Sequence, residues 1–161
     1  MKVGITGHQS REGIDWEWVK ASIRDELQKL PRPIEGYSSL AEGADQVFAQ
    51  AVLDAGGKLT GVIPKPDYEV HFKPEALRNY VRLKSRSRLE ELAPEASDEA
   101  SFFNAGRYIA DHTNLLFAVW DGAPSKGHGG TADVVNYALA KQRTVIHIDP
   151  IRKEVRSLVR A

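Results

Sequence analysis

The chain has 161 residues, and its 22 Lys and Arg residues equal its 22 Asp and Glu residues, so its formal net charge is zero. This length predicts one domain, residues 1–161, with a single hydrophobic core. The charge balance excludes a global field that would attract nucleic acid or an anionic membrane. The sequence has no cysteine, which excludes disulfides, thiolate catalysis and cysteine-ligated zinc.

The N-terminus and the apolar runs bear on where the protein resides. The opening segment, MKVGITGHQ, has no basic region followed by a long apolar stretch, so it does not resemble a signal peptide. No window approaches the roughly 18 uninterrupted apolar residues of a membrane helix. We therefore predict a soluble, cytoplasmic protein without a membrane partner.

Short β-rich runs alternate with helical periodicities along the chain. The predicted strands are residues 2–6, 34–38, 59–63, 115–120 and 144–148. Apolar residues spaced three and four apart predict helices between them, at about 16–30, 44–52, 77–92, 102–109 and 131–142. The tail after Pro150 is interpreted as a short terminal helix or an added strand.

Strands that alternate with helices predict parallel pairing through right-handed crossovers. The predicted fold is a single α/β, Rossmann-like, doubly wound domain, whose mainly parallel sheet of about five strands has the order 3-2-1-4-5 and is flanked by helices. Ligands bind outside the carboxyl ends of such strands, where strands one and four diverge. We therefore expect the loops at residues 7–13 and 121–130 to face each other, with residues 38–43 beside them.

The two glycine-containing loops have the composition of an anion site. Glycine can adopt positive φ angles and approach a ligand closely, and the helix predicted after the second loop presents unpaired N–H groups and a positive dipole end. The alternative is that these glycines only form tight strand-to-helix turns. The candidate ligand-binding residues of the two loops are Gly7, His8, Arg11, Gly129, Gly130 and Thr131, with His128 as a further candidate.

Other candidate side chains follow strands two and four. Ser39 and Glu42 have the spacing of a capping box, in which both side chains satisfy free N–H groups of a helix start. The alternative is a direct contact with a ligand. Gly43 would let a ligand or a neighbouring strand approach the helix, and Asp45 either favours the helix dipole or binds a ribose hydroxyl. Asp121 is a ribose contact or a turn residue.

The histidines and the basic residues bear on metal binding and on DNA binding. The five histidines form no HxxxH or HxH pair, so neither a metal site nor a cofactor is predicted. A local basic cluster is interpreted as a solvated helix rather than a DNA-binding stripe, because helical spacing spreads it over more than one face. Its members are Arg78, Arg82, Lys84, Arg86 and Arg88. We predict a small-molecule partner rather than nucleic acid, and a homo-oligomer, for which an exposed apolar helix face is one candidate interface.

Several segments resemble one known superfamily. Residues 3–8 resemble its opening strand and loop, and residues 38–45 look like the DprA segment S-G-x-A-x-G-I-D. The segments 106–107, 115–122 and 129–133 resemble its later part. This order and spacing resemble the SLOG superfamily, named for the Smf/DprA recombination mediators and the LOG phosphoribohydrolases. The resemblance implies a Rossmann-like fold whose glycine loops bind nucleotides or nucleotide-derived ligands, adds Arg107 to the candidate contacts, and implies a role in bacterial defence or nucleotide signalling.

One departure from this resemblance concerns catalysis. LOG phosphoribohydrolases carry G-G-x-G-T-x-x-E with a catalytic glutamate, and the corresponding position here is Val134. Asp133 lies one residue earlier, so a helix would turn its carboxylate away by about 100°. The resemblance therefore favours ligand binding over catalysis.

Three functions are compatible with the sequence. The leading hypothesis is binding of a phosphorylated nucleoside or related signalling nucleotide between residues 7–11 and residues 127–133. The second is hydrolysis of the N-glycosidic bond of a nucleoside monophosphate, for which Asp133 or Glu42 would supply the carboxylate that stabilises an oxocarbenium-like state. The third is DprA-like binding of single-stranded DNA through residues 78–88.

Overall fold

A seven-stranded sheet forms the centre of the computed structural model, which describes residues 1–127 and 129–159. His128, a candidate ligand contact, lies outside the described residues. The strands are β1 (Lys2–Gly7), β2 (Glu35–Ser38), β3 (Lys58–Ile63), β4 (Arg88–Glu91), β5 (Leu115–Val119), β6 (Thr144–Asp149) and β7 (Glu154–Leu158). Their order is β4-β3-β2-β1-β5-β6-β7; β7 runs antiparallel to β6, and the other described pairs are parallel.

The predicted fold class is confirmed. The five predicted strands correspond to β1, β2, β3, β5 and β6, and each predicted end agrees to within one residue. Their order in the sheet, β3-β2-β1-β5-β6, is the predicted 3-2-1-4-5. The carboxyl ends of β1 and β5 are therefore neighbours, as the predicted ligand site requires.

Within the described residues, five α-helices cover both faces of this sheet. They are α1 (Trp16–Gln28), α2 (Ala44–Asp54), α3 (Pro74–Lys84), α4 (Asp98–His112) and α5 (Thr131–Ala140), with a 3-10 helix at Tyr68–His71. Phe117 of β5 packs in one core with α1 and α2, whereas its neighbour Leu116 packs in another with α4 and α5. Successive strand residues point to opposite faces, so the two cores lie on opposite sides of the sheet. Each of these helices lacks the length or the apolar character of a bilayer crossing.

The two edge strands were not among the five predicted. The predicted helix over 77–92 is wrong beyond Lys84, where the hydroxyls of Ser85 and Ser87 donate to backbone carbonyls of the last helical turn, at 2.6 and 2.7 Å. Such side-chain bonds compete with helix continuation, and Arg88–Glu91 instead pair with the free edge of β3. At the other edge, the terminal segment forms an added strand, β7, rather than a helix.

Candidate functional site

A cleft of about 350 Å³ lies at the carboxyl ends of the central strands, between the starts of α2 and α5. The candidate residues that line it are Gly7, Ser39, Glu42, Asp45, Gly129, Gly130 and Thr131. Further lining residues include Thr6, Gln9, Tyr68, His71, Phe72, Phe102, Gly106 and Val134. The structure thus brings together the loops that follow β1, β2 and β5.

A larger open groove, of about 750 Å³, runs over the helices α1, α2 and α3. It shares Gln9 and Glu42 with the cleft, and Gly43 lines the groove but not the cleft. Apart from Glu42 and Gly43, the candidate binding residues do not line this groove. The smaller cleft is therefore the candidate site, because it combines the strand ends with the converging loops.

The start of α5 forms one wall of the cleft. Gly130 is the N-cap and makes no side-chain capping hydrogen bond; among the first N–H groups of the helix, that of Asp133 donates to the Ser125 hydroxyl. The first N–H groups of a helix have no acceptor inside it and carry the positive end of its dipole, so this wall suits an anion. Gly129 has φ +89° and packs against α4, where a Cβ would lie 2.9 Å from Cβ of Phe103. A side chain at Gly129 would therefore disturb this wall.

Asp133 and Val134 occupy the positions at issue in the catalytic hypothesis. The Gly129 backbone N–H donates to Asp133 Oδ2 at 2.7 Å, and the Asp133 N–H donates to Ser125 Oγ at 3.3 Å. Asp133 thus ties its own loop together and is not part of the cleft lining, whereas Val134 is. The side chain at the position of the LOG glutamate faces the cleft, and here it is apolar.

The start of α2 forms the opposite wall, and the predicted capping box at Ser39 and Glu42 is wrong. The helix begins at Ala44 with Gly43 as its N-cap and no side-chain cap. Gly43 has φ +87°, and a Cβ there would lie 2.4 Å from the Gln9 backbone oxygen. The Ala44 N–H donates to the His8 carbonyl at 3.1 Å. The backbone of the loop after β1 therefore approaches the helix at Gly43, and this contact replaces a side-chain cap.

Two acidic side chains of this wall line the cleft without a cation beside them. The Ala41 N–H donates to Asp45 Oδ2 at 3.3 Å, and burial raises the pKa of Asp45 to about 7. Asp45 is half-buried and is part of the cleft lining. Within the described residues, Glu42 makes no hydrogen bond or ion pair and Asp45 makes no ion pair. Both carboxyl groups can therefore meet a bound molecule.

An aromatic wall, formed by Tyr68, His71, Phe72 and Phe102, completes the cleft, and the sequence analysis missed it. The rings of Tyr68 and Phe102 lie 5.9 Å apart in a tilted pair, and those of His71 and Phe102 lie 5.3 Å apart edge to face. Three of the four residues follow the carboxyl end of β3, which is a signal that sequence reasoning could have used. Phe102 comes from α4, and only the fold brings it to the others.

Asp98 lies beside His71 of the aromatic wall and is itself bound by Lys65. The Nε2 of His71 lies 3.7 Å from Asp98 Oδ2, and Lys65 Nζ donates to Asp98 Oδ1 at 2.7 Å. The hydrogen bond from Lys65 is the main reason that the pKa of Asp98 lies below its usual value. The charges of Lys65 and Asp98 thus neutralise each other, and neither residue lines the cleft. His71 is the basic residue of the described cleft lining.

His8, Arg11 and Asp121, which we name the loop cluster, bind one another beside the cleft. Arg11 Nε donates to Asp121 Oδ2 at 3.2 Å, and the Asp121 N–H donates to His8 Nε2 at 3.2 Å. The pKa of Asp121 is lowered, first by the N–H of Ala123, which donates to Oδ1 at 3.0 Å, and then by Arg11. These contacts join the loops after β1 and β5, but the three side chains are not part of the cleft lining.

Arg107 and the basic cluster also lie outside the cleft lining. The Arg107 guanidinium sits 5.2 Å from the Phe103 ring centre and donates to Asn104 Oδ1 at 3.2 Å. In the basic cluster, Arg82 donates to Gln50, Lys84 to Glu69 and Arg88 to Glu90. Arg88 belongs to β4, so the cluster is not one helix. The described residues contain no group of three or more acidic or histidine side chains placed to hold a metal ion.

No protein family and no curated protein sequence matches the chain. Solved structures do match. DprA from Streptococcus pneumoniae is 22% identical with a TM-score of 0.62, and the match covers 91% of this chain and 49% of that one. DprA from Helicobacter pylori, described with a single-stranded DNA binding mode, is 16% identical with a TM-score of 0.62 and coverages of 91% and 64%.

A third match extends the comparison beyond DprA. The molybdenum cofactor carrier protein from Chlamydomonas reinhardtii is 18% identical with a TM-score of 0.51, covering 91% of this chain and 74% of that one. The chain spans less than two thirds of the length of either DprA. At these identities the matches establish the fold alone. The Rossmann-like fold implied by the sequence motifs is therefore confirmed, and the prediction that nucleic acid is not a partner stays a prediction.

Proposed function

We propose that this chain binds a nucleotide or nucleotide-derived ligand in the cleft. The observation that carries the proposal is the convergence of three unlike walls on about 350 Å³: a helix start, unpaired carboxyl groups and aromatic rings. In this arrangement a phosphate lies against residues 129–131, where helix N–H groups and the Thr131 hydroxyl donate. The ribose hydroxyls donate to Glu42, and the base packs against the aromatic wall.

Size and charge favour a ligand with a single phosphate. Ligand pockets usually span about 300–1,000 Å³, so this cleft is at the small end. Its described lining contains no Lys or Arg to neutralise a di- or triphosphate. A helix N-terminus contributes typically ~0.3–1 kcal/mol, a hydrogen bond to a charged group about 1.5–3 kcal/mol, and micromolar binding needs about 8 kcal/mol. Several contacts of the phosphate, the sugar and the base together reach that figure.

Calorimetric titration tests this proposal. The purified protein is titrated with the four common nucleoside 5′-monophosphates, the matching nucleosides and the matching triphosphates. At least one monophosphate should bind more tightly than its nucleoside, and Thr131→Val should weaken it about tenfold, because a hydrogen bond to the phosphate is lost. Arg11→Ala, in the loop cluster, is the matched control and should leave Kd unchanged.

Two outcomes contradict the proposal. If no monophosphate binds at millimolar concentration, the cleft is not a nucleotide site of this kind. If a monophosphate binds but Thr131→Val and Glu42→Gln both leave Kd unaltered, the ligand occupies another surface. Glycine substitutions are poor probes here, since a Cβ on Gly130 would lie 2.8 Å from Ser125 Oγ and would disturb the loop itself.

A second candidate function is hydrolysis of an N-glycosidic bond, and it is favoured by the unpaired Glu42 carboxylate in the cleft. Two observations oppose this function: Val134 is apolar, and the Asp133 carboxylate accepts a hydrogen bond from the Gly129 N–H. We expect no free base when the protein is incubated with nucleoside monophosphates and the products are separated by chromatography. Release of base that disappears in Glu42→Gln, with Asp133→Ala as a further control, would favour the enzyme instead.

A further inference from the structure

Asp45 differs from Glu42, the other acidic residue of the described cleft lining, because hydrogen bonds hold it in place. It is the second residue of α2, and its carboxyl group lines the cleft. Its Oδ2 accepts from the Ala41 N–H, and its own backbone carbonyl accepts from the Ser38 hydroxyl at 3.1 Å. These bonds fix the residue, and Oδ1 has no hydrogen-bond partner within the described residues.

The charges around Asp45 do not compensate a negative carboxylate. The other titratable side chains on the cleft are Glu42, from the same segment, and Tyr68 and His71, from the 3-10 helix. Glu42 is acidic, and His71 lies beside Asp98 instead. Tyr68 is buried, and its pKa is raised well above its ordinary value by that burial and by the nearby Asp45. An ionised Asp45 would therefore be a partly buried charge without a cationic partner among the described residues, which is costly.

The same cleft presents the positive ends of two helices, α2 and α5. A carboxylate between them would repel the anion that the helix ends attract, whereas a neutral carboxyl group would donate an O–H to it. Burial raises the pKa of Asp45 to about 7, so the neutral carboxyl group is populated at physiological pH. A carboxylic acid kept neutral by its surroundings can serve as a hydrogen-bond donor.

We infer that Asp45 is a specificity-determining ligand contact that carries a proton in the complex and donates it, from Oδ1, to an anionic oxygen of the ligand. The inference rests on the proposed function, in which that oxygen belongs to a phosphate. Above pH 7 the proton comes from solvent: carboxylate, proton and ligand combine into one complex, and no covalent bond of the ligand changes. The cleft then selects ligands that offer an acceptor at this point, and it binds them less tightly as pH rises.

Asp45→Asn is the matched variant for a test, because its amide keeps an acceptor for the Ala41 N–H and offers a permanent donor to the ligand. Wild type and variant are titrated calorimetrically with inorganic phosphate and with the four nucleoside 5′-monophosphates, from pH 6.5 to 8.5. Each pH uses two buffers of different ionisation enthalpy, which gives the number of protons taken up. The phosphate group itself titrates near pH 6, and the variant cancels this contribution.

The expected result is a difference between the two proteins. At pH 8 wild type should take up close to one proton more than Asp45→Asn, and its affinity should fall by up to about tenfold per pH unit above the pKa of Asp45. The variant should lack this fall and bind at least as tightly as wild type at pH 8.5. A variant that takes up as many protons as wild type, or that binds more weakly at every pH, overturns the inference.

The inference and the proposed function fail in different ways. If a monophosphate binds without extra proton uptake, Asp45 is an ionised acceptor, as a ribose contact would be, and only the inference falls. If neither phosphate nor any monophosphate binds to wild type or to Asp45→Asn, the proposed function falls and the inference falls with it. The unfolding midpoints of both proteins verify that each is folded under the assay conditions.

Discussion

The loop cluster and the cleft lie side by side at the carboxyl edge of the same sheet, yet their polar groups are used differently. In the loop cluster, Arg11 and Asp121 bind each other, and His8 accepts from the Asp121 backbone. In the cleft, the carboxyl groups of Glu42 and Asp45 have no cationic partner within the described residues. Groups that satisfy each other hold loops in place, whereas groups left unpaired at a concave surface are available to a ligand.

The two aspartates express this difference as opposite pKa shifts. The Ala123 N–H and Arg11 lower the pKa of Asp121, because they stabilise its ionised form. Burial without a counterion raises the pKa of Asp45 to about 7. Asp121 therefore stabilises the fold when it is ionised, and Asp45 destabilises the fold when it is ionised. The pH dependence of stability can separate the two regions.

The largest effect is expected where the two regions meet, at Gly43. Gly43→Ala places a Cβ 2.4 Å from the Gln9 backbone oxygen and forces alanine to φ +87°. Strain and overpacking each cost about 1–3 kcal/mol, so the free energy of unfolding should fall by about 2–6 kcal/mol in urea denaturation. Gly56→Ala is the control, because Gly56 has φ +77° but nothing within 4 Å of its Cβ position; it should cost about 1–2 kcal/mol. Equal losses would mean that the approach of the two loops at Gly43 is not tight.

The sequence predicts the meeting of these regions but not how their side chains are used. Strand order follows from the alternation of strands and helices, and it is enough to bring Gly7 and Gly129 to one cleft. Strand order does not decide whether the Arg11 side chain binds a ligand or binds Asp121, because that depends on single hydrogen bonds within the loops. Phe102 lies far from Tyr68 in the sequence, so their pairing in the aromatic wall has no local signal.

The edge strand β4 was missed for a different physical reason. Leu89 and Leu92 have a spacing that a helix would also show, and a short apolar run does not distinguish the two states. The free edge of β3 decides the outcome by offering backbone hydrogen bonds to Arg88–Glu91. Ser39 and Glu42 are a similar case, because the spacing of a capping box is present while the approach of the loop backbone at Gly43 sets the helix start.

Asp45→Asn should sharpen the comparison through stability alone, without a ligand. In wild type the folded protein holds a proton on Asp45 up to about pH 7, whereas the unfolded chain loses it near the ordinary value of 3.8. Stability relative to the variant should therefore fall as pH rises between these values, by on the order of 1 kcal/mol per pH unit, and level off above pH 7. Urea denaturation of both proteins at several pH values measures the difference. A difference that is constant with pH would mean that Asp45 is ionised in the folded protein.

Asp121→Asn should have the smallest effect and the opposite sign with pH. The amide keeps an acceptor for the Ala123 N–H but loses the charge that attracts Arg11, whose side chain is 41% exposed, so the loss near pH 7 should be about 0.2–1 kcal/mol. Because the pKa of Asp121 is lowered, its contribution is present above the ordinary value of 3.8 and is lost as pH falls below it. The free energies of unfolding of wild type and Asp121→Asn should thus become equal in acid. For Asp45→Asn the trend is opposite, because the stability of wild type relative to that variant is highest in acid.

The same variant separates the two regions in binding. The residues of the loop cluster do not line the cleft, so Asp121→Asn should leave the Kd of any bound monophosphate unchanged, while Thr131→Val raises it. If Asp121→Asn weakens binding as strongly as Thr131→Val does, then Arg11 and Asp121 exchange their mutual contact for the ligand. In that case the division between a satisfied cluster and an open cleft would hold only for the unliganded protein, and the site would extend across both loops.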